Sequence, residues 1–396
     1  MPLKPPMRLL WIGQVFNPDQ AIALRAVSLA ANRWQRGLLG ALQESGHQID
    51  LLGHRPEQLW PCGEIYLKGL QEHVLLSNRG EGCSQTLVPY WNIPAYRIAS
   101  LANHYQRAIR LYLNNHPRPD CILSYNVSPF TTAVARDAIR VGIPWVPVIA
   151  DVSGGDNGYS RLRQQVSTAA GCVFLSWTSF MQWNGASKLH LDGGMEKAPD
   201  AELEIPSATE PKSILYAGVL NQFGGIEQLL NAFALIKDAH VRLLICGKGH
   251  NSELQKRLES DKRIQFLGCV PEIRLQEIAS KAWVMVNPRP GYVSGNEHNF
   301  PSKLLDYLAH GKPVVSTITP GLAPDYRDLV VPVDRNSPQA LAGGIEMVLK
   351  ESAIERAKRC QRICQFLQMQ KTWKNQSERL LEWLCIAIAQ HIPKVS

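Results

Sequence analysis

The sequence has no Cys-x-x-Cys, no pair of histidines at metal-ligand spacing and no Asp-x-Asp. Its 9 cysteines are scattered and odd in number. A disulfide framework and a structural zinc site are therefore not expected; buried, reduced thiols of a cytoplasmic protein are. Cys360 and Cys364 stand one helical turn apart but lack companion ligands. No stretch approaches the ~18 uncharged apolar residues that a membrane-spanning helix needs. The opening MPLKPPMRLLWIGQVF has only a short apolar run that ends at Gly13-Gln14, with no small-residue cleavage site. It reads as a first strand and not as a signal peptide. A basic arm or tail is missing too: residues 1–200 hold 18 basic and 14 acidic side chains, residues 201–396 hold 24 and 20. That even spread of the net +8 speaks against a dedicated nucleic-acid binder. It leaves room for phosphate-bearing ligands or a peripheral contact with an anionic membrane surface.

What is present is enough apolar material for two cores: 396 residues, 45% of them hydrophobic and 19% charged. In the first two hundred residues, short apolar runs alternate with helical spacing. Strands are expected at Arg8–Ile12, Ile49–Leu52, Cys121–Ser124, Trp145–Ala150 and Cys172–Ser176. Helices are expected over 33–46, 98–113 and 131–141, with an irregular Trp/Pro/Gly-rich stretch after the second strand. The composition of DAELEIPSATEPK, residues 200–212, suits an interdomain linker. Alternation then restarts at Ser213 and runs to helix 338–351, followed by mostly helical sequence from 353 to 390 with a break near 368–373. Alternation of this kind gives parallel strands with crossover helices, hence an α/β fold of two facing Rossmann-like doubly wound domains with a cleft between them. The expected domains are 1–205 and 206–372, followed by a helix over 373–396.

The second half carries the chemistry. Leu215-Tyr-Ala-Gly218 is a strand ending in glycine, and Gly224-Gly225-Ile226 opens the next helix. Cys246-Gly247-Lys248-Gly249 repeats the device. Such glycines let a phosphate approach main-chain N–H groups and a helix N-terminus, and they serve equally as tight-turn glycines in any α/β domain. More telling is Val284-Met-Val-Asn287-Pro288-Arg289, followed by Asn299-Phe300-Pro301-Ser302-Lys303-Leu304-Leu305-Asp306 and His310-Gly311-Lys312-Pro313. A strand delivers Arg289 to the sheet's carboxyl edge. A helix then presents Ser302 and Lys303 in its first turn and Asp306 one turn on. Arg289 and Lys303 suit a diphosphate, and Asp306 suits a pair of ribose hydroxyls. The bland alternative is a solvated first helical turn with an i,i+3 ion pair.

The order of these pieces resembles the GT-B glycosyltransferases, in particular family 4 of the retaining nucleotide-sugar enzymes, through YAGVLNQFGGIEQLLNAF, LLICGKG, FLGCVP, NPR and FPSKLLDYLAHGKPVV. The resemblance covers at least residues 213–335 and extends loosely to NRWQRGLLGALQESGHQIDLL and LHLDGG in the first half; it implies an acceptor-binding domain over 1–205, a nucleotide-sugar donor domain over 206–372 and a helix over 373–396 that packs back on the first. It implies transfer of a sugar from a nucleotide diphosphate sugar, UDP-linked in preference to GDP-linked. The acceptor would be a hydroxyl of a glycan, a lipid-linked or a small-molecule compound. No cofactor and no metal are implied. By this likeness Gly218, Gly247, Phe300 and Ser302 bind the donor, Asp306 its ribose, and the main chain at Cys269 and Val270 its base. His298, where the family usually carries a glutamate, or Glu297 beside it would contact the donor sugar, the alternative being a loop residue that faces solvent; Asp306 replaces the second glutamate of that pair. The basic pair of the family's first donor loop falls on Val219 and Gly224. Leaving-group charge must then rest on Arg289, Lys303 and main-chain donors near Gly218 and Ser302.

Acceptor residues are expected at strand carboxyl ends of the first half: Gly13 and its loop to Asp19, Asn32, Asn126 and Asp151. Asp151 is the first choice for a catalytic role, though it also reads as the cap of the Ser-Gly-Gly turn after it. The departures from the family pattern keep two other readings open: a GT-B nucleotide-sugar epimerase, and a catalytically silent scaffold that partners an active transferase.

Overall fold

Six of the apolar runs become strands buried on both faces, with at most one residue in each half-buried, the state of parallel sheets whose two sides are covered by helices. The computed structural model describes residues 5–24, 26–77, 82–152, 155–185, 187–199, 211–291, 293 and 295–391. The chain divides into two units: Met1–Leu175, Ser179–Glu196 and Trp373–Ser396 in the first, Ser176–Thr178 and Lys197–Thr372 in the second. The expected linker falls almost wholly on residues 200–210, which lie outside the described residues.

In the first unit the strands are β1 (Arg8–Ile12), β2 (Gln48–Gly53), β3 (Tyr66–Leu67), β4 (Leu70–Val74), β5 (Cys83–Leu87), β6 (Tyr90–Trp91), β7 (Cys121–Tyr125), β8 (Trp145–Ile149), β9 (Cys172–Phe174) and β10 (Lys188–His190). Eight of them form one sheet in the order β10-β9-β8-β7-β1-β2-β5-β4, parallel except for β4 at the edge. β3 and β6 make a separate antiparallel pair. Four of these strands, β3 to β6, come from the stretch expected to be irregular. They are short and interrupted by polar, charged or aromatic side chains, so they carry no long apolar run to betray them. The loop expected after β1 likewise contains a short helix, Pro18–Ala23, started by Pro18 and by an Asn17–Gln20 capping box.

The second unit contains β11 (Lys212–Ala217), β12 (Val241–Cys246), β13 (Ile264–Gly268), β14 (Val284–Asn287), β15 (Val314–Thr317) and β16 (Val331–Val333), all parallel in the order β13-β12-β11-β14-β15-β16. Both sheets thus reverse direction beside their first strand, at β1/β7 and at β11/β14. Those are the switch points where doubly wound folds bind ligands.

The last helix, Trp373–His391, belongs to the first unit. Trp373 sits against Gly37 and Gly194: a β-carbon at either would come within 2.1 Å and 2.8 Å of the indole. Trp34 meets the same indole edge-on at 5.9 Å. Gln376 Nε2 donates to Gly193 O at 2.8 Å. The cysteines correct one expectation. All nine are free thiols, but Cys62, Cys269 and Cys385 are exposed, because a turn, a strand-end loop and the outer face of the last helix carry them.

Candidate active site

In the second unit, Tyr216 governs the loop after β11. Its hydroxyl lies 2.7 Å from Val219 O and 3.3 Å from Gly224 O, and closes the loop on itself. A β-carbon at Gly224 would lie 2.4 Å from that hydroxyl, and Val219 faces solvent. The two positions that the family resemblance fills with cations therefore carry none. Gly225 then adopts φ +76° to start helix Ile226–Leu235, with Pro288 O where a β-carbon would be.

Lys303 takes over the space that the glycines leave. A β-carbon at Gly218 would lie 1.7 Å from its Nζ, and one at Gly247 would lie 1.7 Å from Gly218 O. Gly247 has φ +151°, a conformation that only glycine tolerates well. The two glycines are stacked back to back beneath the ammonium group, which also lies 5.4 Å from the centroid of the Tyr216 ring. Burial pulls the Lys303 ammonium down to about 8, helped by the positive charge of Arg289 and opposed by Asp306.

Arg289 is fixed at both ends. Its main-chain carbonyl accepts from the Thr317 hydroxyl at the end of β15, and its Nε donates to Asn296 Oδ1 at 2.7 Å. Asn296 is buried, and its Nδ2 donates to Pro290 O at 2.8 Å and Phe223 O at 3.3 Å. It ties Arg289 to the loop after β11, and sequence reasoning missed it: a single Asn in a polar loop carries no signal of its own. Tyr307 hydrogen-bonds both the N–H and the carbonyl of Ala217, at 2.8 and 3.0 Å, and fixes the end of β11 to helix Lys303–Leu308.

Gly218, Gly247, Arg289, Lys303 and the exposed Asp306 thus meet at one carboxyl edge. The remaining expected donor residues take other positions. The N–H of Gly218 is already bound to Cys246 O at 2.8 Å and that of Ser302 to Phe300 O at 2.9 Å. Those two N–H groups are spent within the chain, so the expectation of main-chain donors near them falls to their neighbours. Phe300 packs its ring 5.7 Å from that of Tyr326. His298 Nε2 lies 3.6 Å from Glu297 Oε1. Cys269 is exposed and Val270 half-buried just past β13, one strand further along the edge.

The corresponding edge of the first unit is uncharged at its centre. Asn32 does not face outward: it is buried, its Oδ1 accepting from Phe16 N at 2.8 Å and its Nδ2 donating to Phe16 O at 3.1 Å, so its amide is consumed in holding the loop after β1. Gln35 binds the same loop through Gln14 O and accepts from Trp11 Nε1 at 2.9 Å. Gly13 exists for that bond, since a β-carbon would stand 2.2 Å from Gln35 Oε1. Asn126 adopts a left-handed φ of +61°; its Oδ1 accepts from Ala150 N at 2.8 Å and joins the ends of β7 and β8. Asp151 is exposed one residue later, close enough to Tyr125 to add to the rise that burial gives its hydroxyl pKa. His54, also unforeseen, lies just past β2. Its Nε2 is 3.0 Å from Gln14 Nε2 and its Nδ1 2.9 Å from the Tyr105 hydroxyl, inside a cage of Tyr90, Tyr105 and Phe130. Burial, with Arg97 adding to it, pushes its pKa to about 3, so the ring is neutral in ordinary buffers.

Residues 211–351 match the family model described as glycosyl transferases group 1. No curated protein matches the sequence. Among solved structures the chain is similar to sucrose-phosphate synthase from Thermosynechococcus elongatus, at 17% identity over 97% of this chain and 100% of that one, with a TM-score of 0.63. A glycosyltransferase from Rickettsia africae shares 12% identity over 99% of this chain and 100% of that one, with a TM-score of 0.68. HepE of Anabaena, solved in complex with UDP-glucose, shares 13% over 96% and 100%, with a TM-score of 0.63. At such identities the likeness establishes the fold, the GT-B architecture of two doubly wound units.

Proposed function

We propose that the chain, whose residues 211–351 match the family model described as glycosyl transferases group 1, is a glycosyltransferase that moves a sugar from a nucleotide diphosphate sugar to an acceptor hydroxyl. A UDP-sugar is the preferred donor. The configuration of the sugar is retained and no divalent ion is required. Arg289 and Lys303, gathered beside Gly218 and Gly247 at the edge of β11 and β14, are the observation that carries this reading. Breaking the bond between sugar and phosphate leaves a nucleoside diphosphate with an added negative charge. Two fixed cations in a partly desolvated place stabilise that charge where it develops.

Each cation has a separate task. Arg289, held by Asn296 and Thr317, offers its terminal nitrogens as a rigid fork for phosphate oxygens. Lys303 is a point charge whose pKa burial lowers to about 8. A bound diphosphate favours the ammonium and restores it. Asp306 takes the ribose hydroxyls, and the chain at Cys269 and Val270 lines the base. His298 faces the donor sugar. The acceptor, a glycan, lipid-linked or small-molecule hydroxyl compound, engages the first unit near Asp151 and the loop that Asn32 and Gln35 hold.

The test is direct. The purified chain is screened for thermal shift with nucleoside diphosphates, and then for nucleotide release from intact nucleotide sugars in EDTA, with and without a hydroxyl acceptor. One nucleoside diphosphate is expected to bind and its sugar to be turned over. Failure of every nucleoside diphosphate to bind, or strict dependence on magnesium or manganese, overturns the proposal.

A further inference from the structure

Counting charges by halves hides a concentration that the fold creates. Residues 97–142 contain six arginines, no lysine and only two acids, Asp120 and Asp137. They form helix Arg97–Asn115, strand β7 and helix Pro129–Arg140, and the two helices pack against each other on one side of the first sheet. Arg97 turns inward over the Tyr90 ring. The other five gather on the solvent side. Arg107 and Arg110 are exposed in the last turns of the first helix, and Arg136 and Arg140 are exposed one turn apart in the second. Asp137, buried between the helices, joins the two rows: Arg110 Nε lies 2.8 Å and Arg140 Nη1 3.5 Å from its carboxylate. Arg118 reaches the same place, its Nη2 3.0 Å from where a β-carbon on Gly142 would sit. Asp120 accepts from Arg8 N at 2.7 Å.

Some positive charge near helix C-termini is ordinary, because it complements the helix dipole. Five guanidinium groups against two already engaged carboxylates exceed that need. Two aliphatic side chains stand among them, Leu111 at 60% and Val141 at 49% exposure. The helix ends that carry the patch point to the amino-terminal edge of the sheet, opposite the carboxyl edge with Gln14, Asn126 and Asp151. The surface is therefore separate from the candidate site. We infer that this two-helix arginine face docks on an anionic phospholipid membrane. Arginines bind lipid phosphates as bidentate forks while Leu111 and Val141 enter the interfacial layer. Among the described residues no helix is long and apolar enough to cross a membrane, so contact of this kind is peripheral. Exposed aliphatic side chains inside the basic field favour lipid over nucleic acid, whose phosphates offer them nothing to bury against.

The experiment is flotation of the full chain with vesicles of neutral phosphatidylcholine, and with vesicles in which 30 mol% is replaced by phosphatidylglycerol. The variants are Arg107→Gln/Arg118→Gln/Arg136→Gln, which spare the Asp137 ion pairs, and Leu111→Ser. Each basic residue near an anionic surface contributes about a five-fold factor in partitioning. Binding is expected on the anionic vesicles alone, lost in 0.5 M salt, and reduced on the order of 100-fold by the triple variant. Leu111→Ser should weaken it several-fold, with thermal unfolding and nucleotide binding unchanged in both. Equal binding to neutral vesicles, unaltered binding of the triple variant, or capture of a duplex oligonucleotide without vesicle binding would each overturn the inference.

Discussion

The two carboxyl edges share a strand order and differ in charge. At β11/β14 two cations are held close enough that the charge of Arg289 lowers the Lys303 pKa. At β1/β7 the nearest counterparts are neutral: Gln14, a histidine whose pKa is about 3, and Asn126. One edge is strained by a repulsion that an anion relieves. The other is stable as it stands and offers hydrogen-bonding groups to a neutral, hydroxylated molecule. Site residues that cost stability mark where binding energy is to be gained, so the edge proposed for the donor stands out by its electrostatics, whereas the edge proposed for the acceptor does not.

The sharpest way to break this comparison is Lys303→Met. Turnover should fall on the order of 100–1,000-fold. The folded protein without ligand should nonetheless become more stable at pH 7. The sign follows from the direction of the shift: the folded pKa, about 8, is below the ordinary lysine value of 10.5. The charged lysine therefore destabilises the fold below pH 8, and that cost disappears as pH rises to 10.5. A shift of this size amounts to about 3 kcal/mol at most. Melting temperatures of the two proteins from pH 7 to 10.5 should converge; a variant less stable at pH 7 would refute the electrostatic reading.

Gly247→Ala attacks the floor of the same edge. Its β-carbon meets a main-chain oxygen that cannot swing aside, and φ is unfavourable. A loss of about 2–4 kcal/mol in urea unfolding is expected. Asn296→Leu leaves the fold but frees Arg289. We expect kcat/KM for the donor to fall about ten-fold to thirty-fold, with partial rescue by Asn296→Asp, which restores the acceptor for Nε. The smallest effect on nucleotide binding should come from Asn32→Ala, at the other edge. It costs about 1–3 kcal/mol through the orphaned Phe16 groups and raises the acceptor KM while nucleoside diphosphate affinity, measured by calorimetry, stays the same. A matching loss of nucleotide affinity would mean that the two edges do not divide the work.

Much of the frame was legible because buried parallel strands write themselves as apolar runs: Arg8–Ile12 and Cys121–Tyr125 in the structure begin where the sequence places them. Helix starts were less so. Leu29–Glu44 begins four residues before Arg33, capped by Ser28, because a serine cap is a signal only once the loop before it is known. The short edge strands were invisible for want of periodicity. At the candidate site, Arg289 and Lys303 were read from an uncommon motif. Asn32 was read in the right region but as an outward group, since nothing in a sequence says that an amide will be consumed by the main chain of Phe16. His54 and Asn296 act only through what folding brings to them, and neither has a local pattern to announce it.

Proton uptake on nucleotide binding tests the central claim most directly. Calorimetry at pH 8 in two buffers of different ionisation enthalpy gives the protons taken up per nucleoside diphosphate bound. If the diphosphate rests on Lys303, about half a proton should be taken up by the unaltered protein and none by Lys303→Met, with affinity at least ten-fold weaker in the variant. Binding that takes up no proton and is indifferent to the substitution would place the phosphates elsewhere and end the assignment.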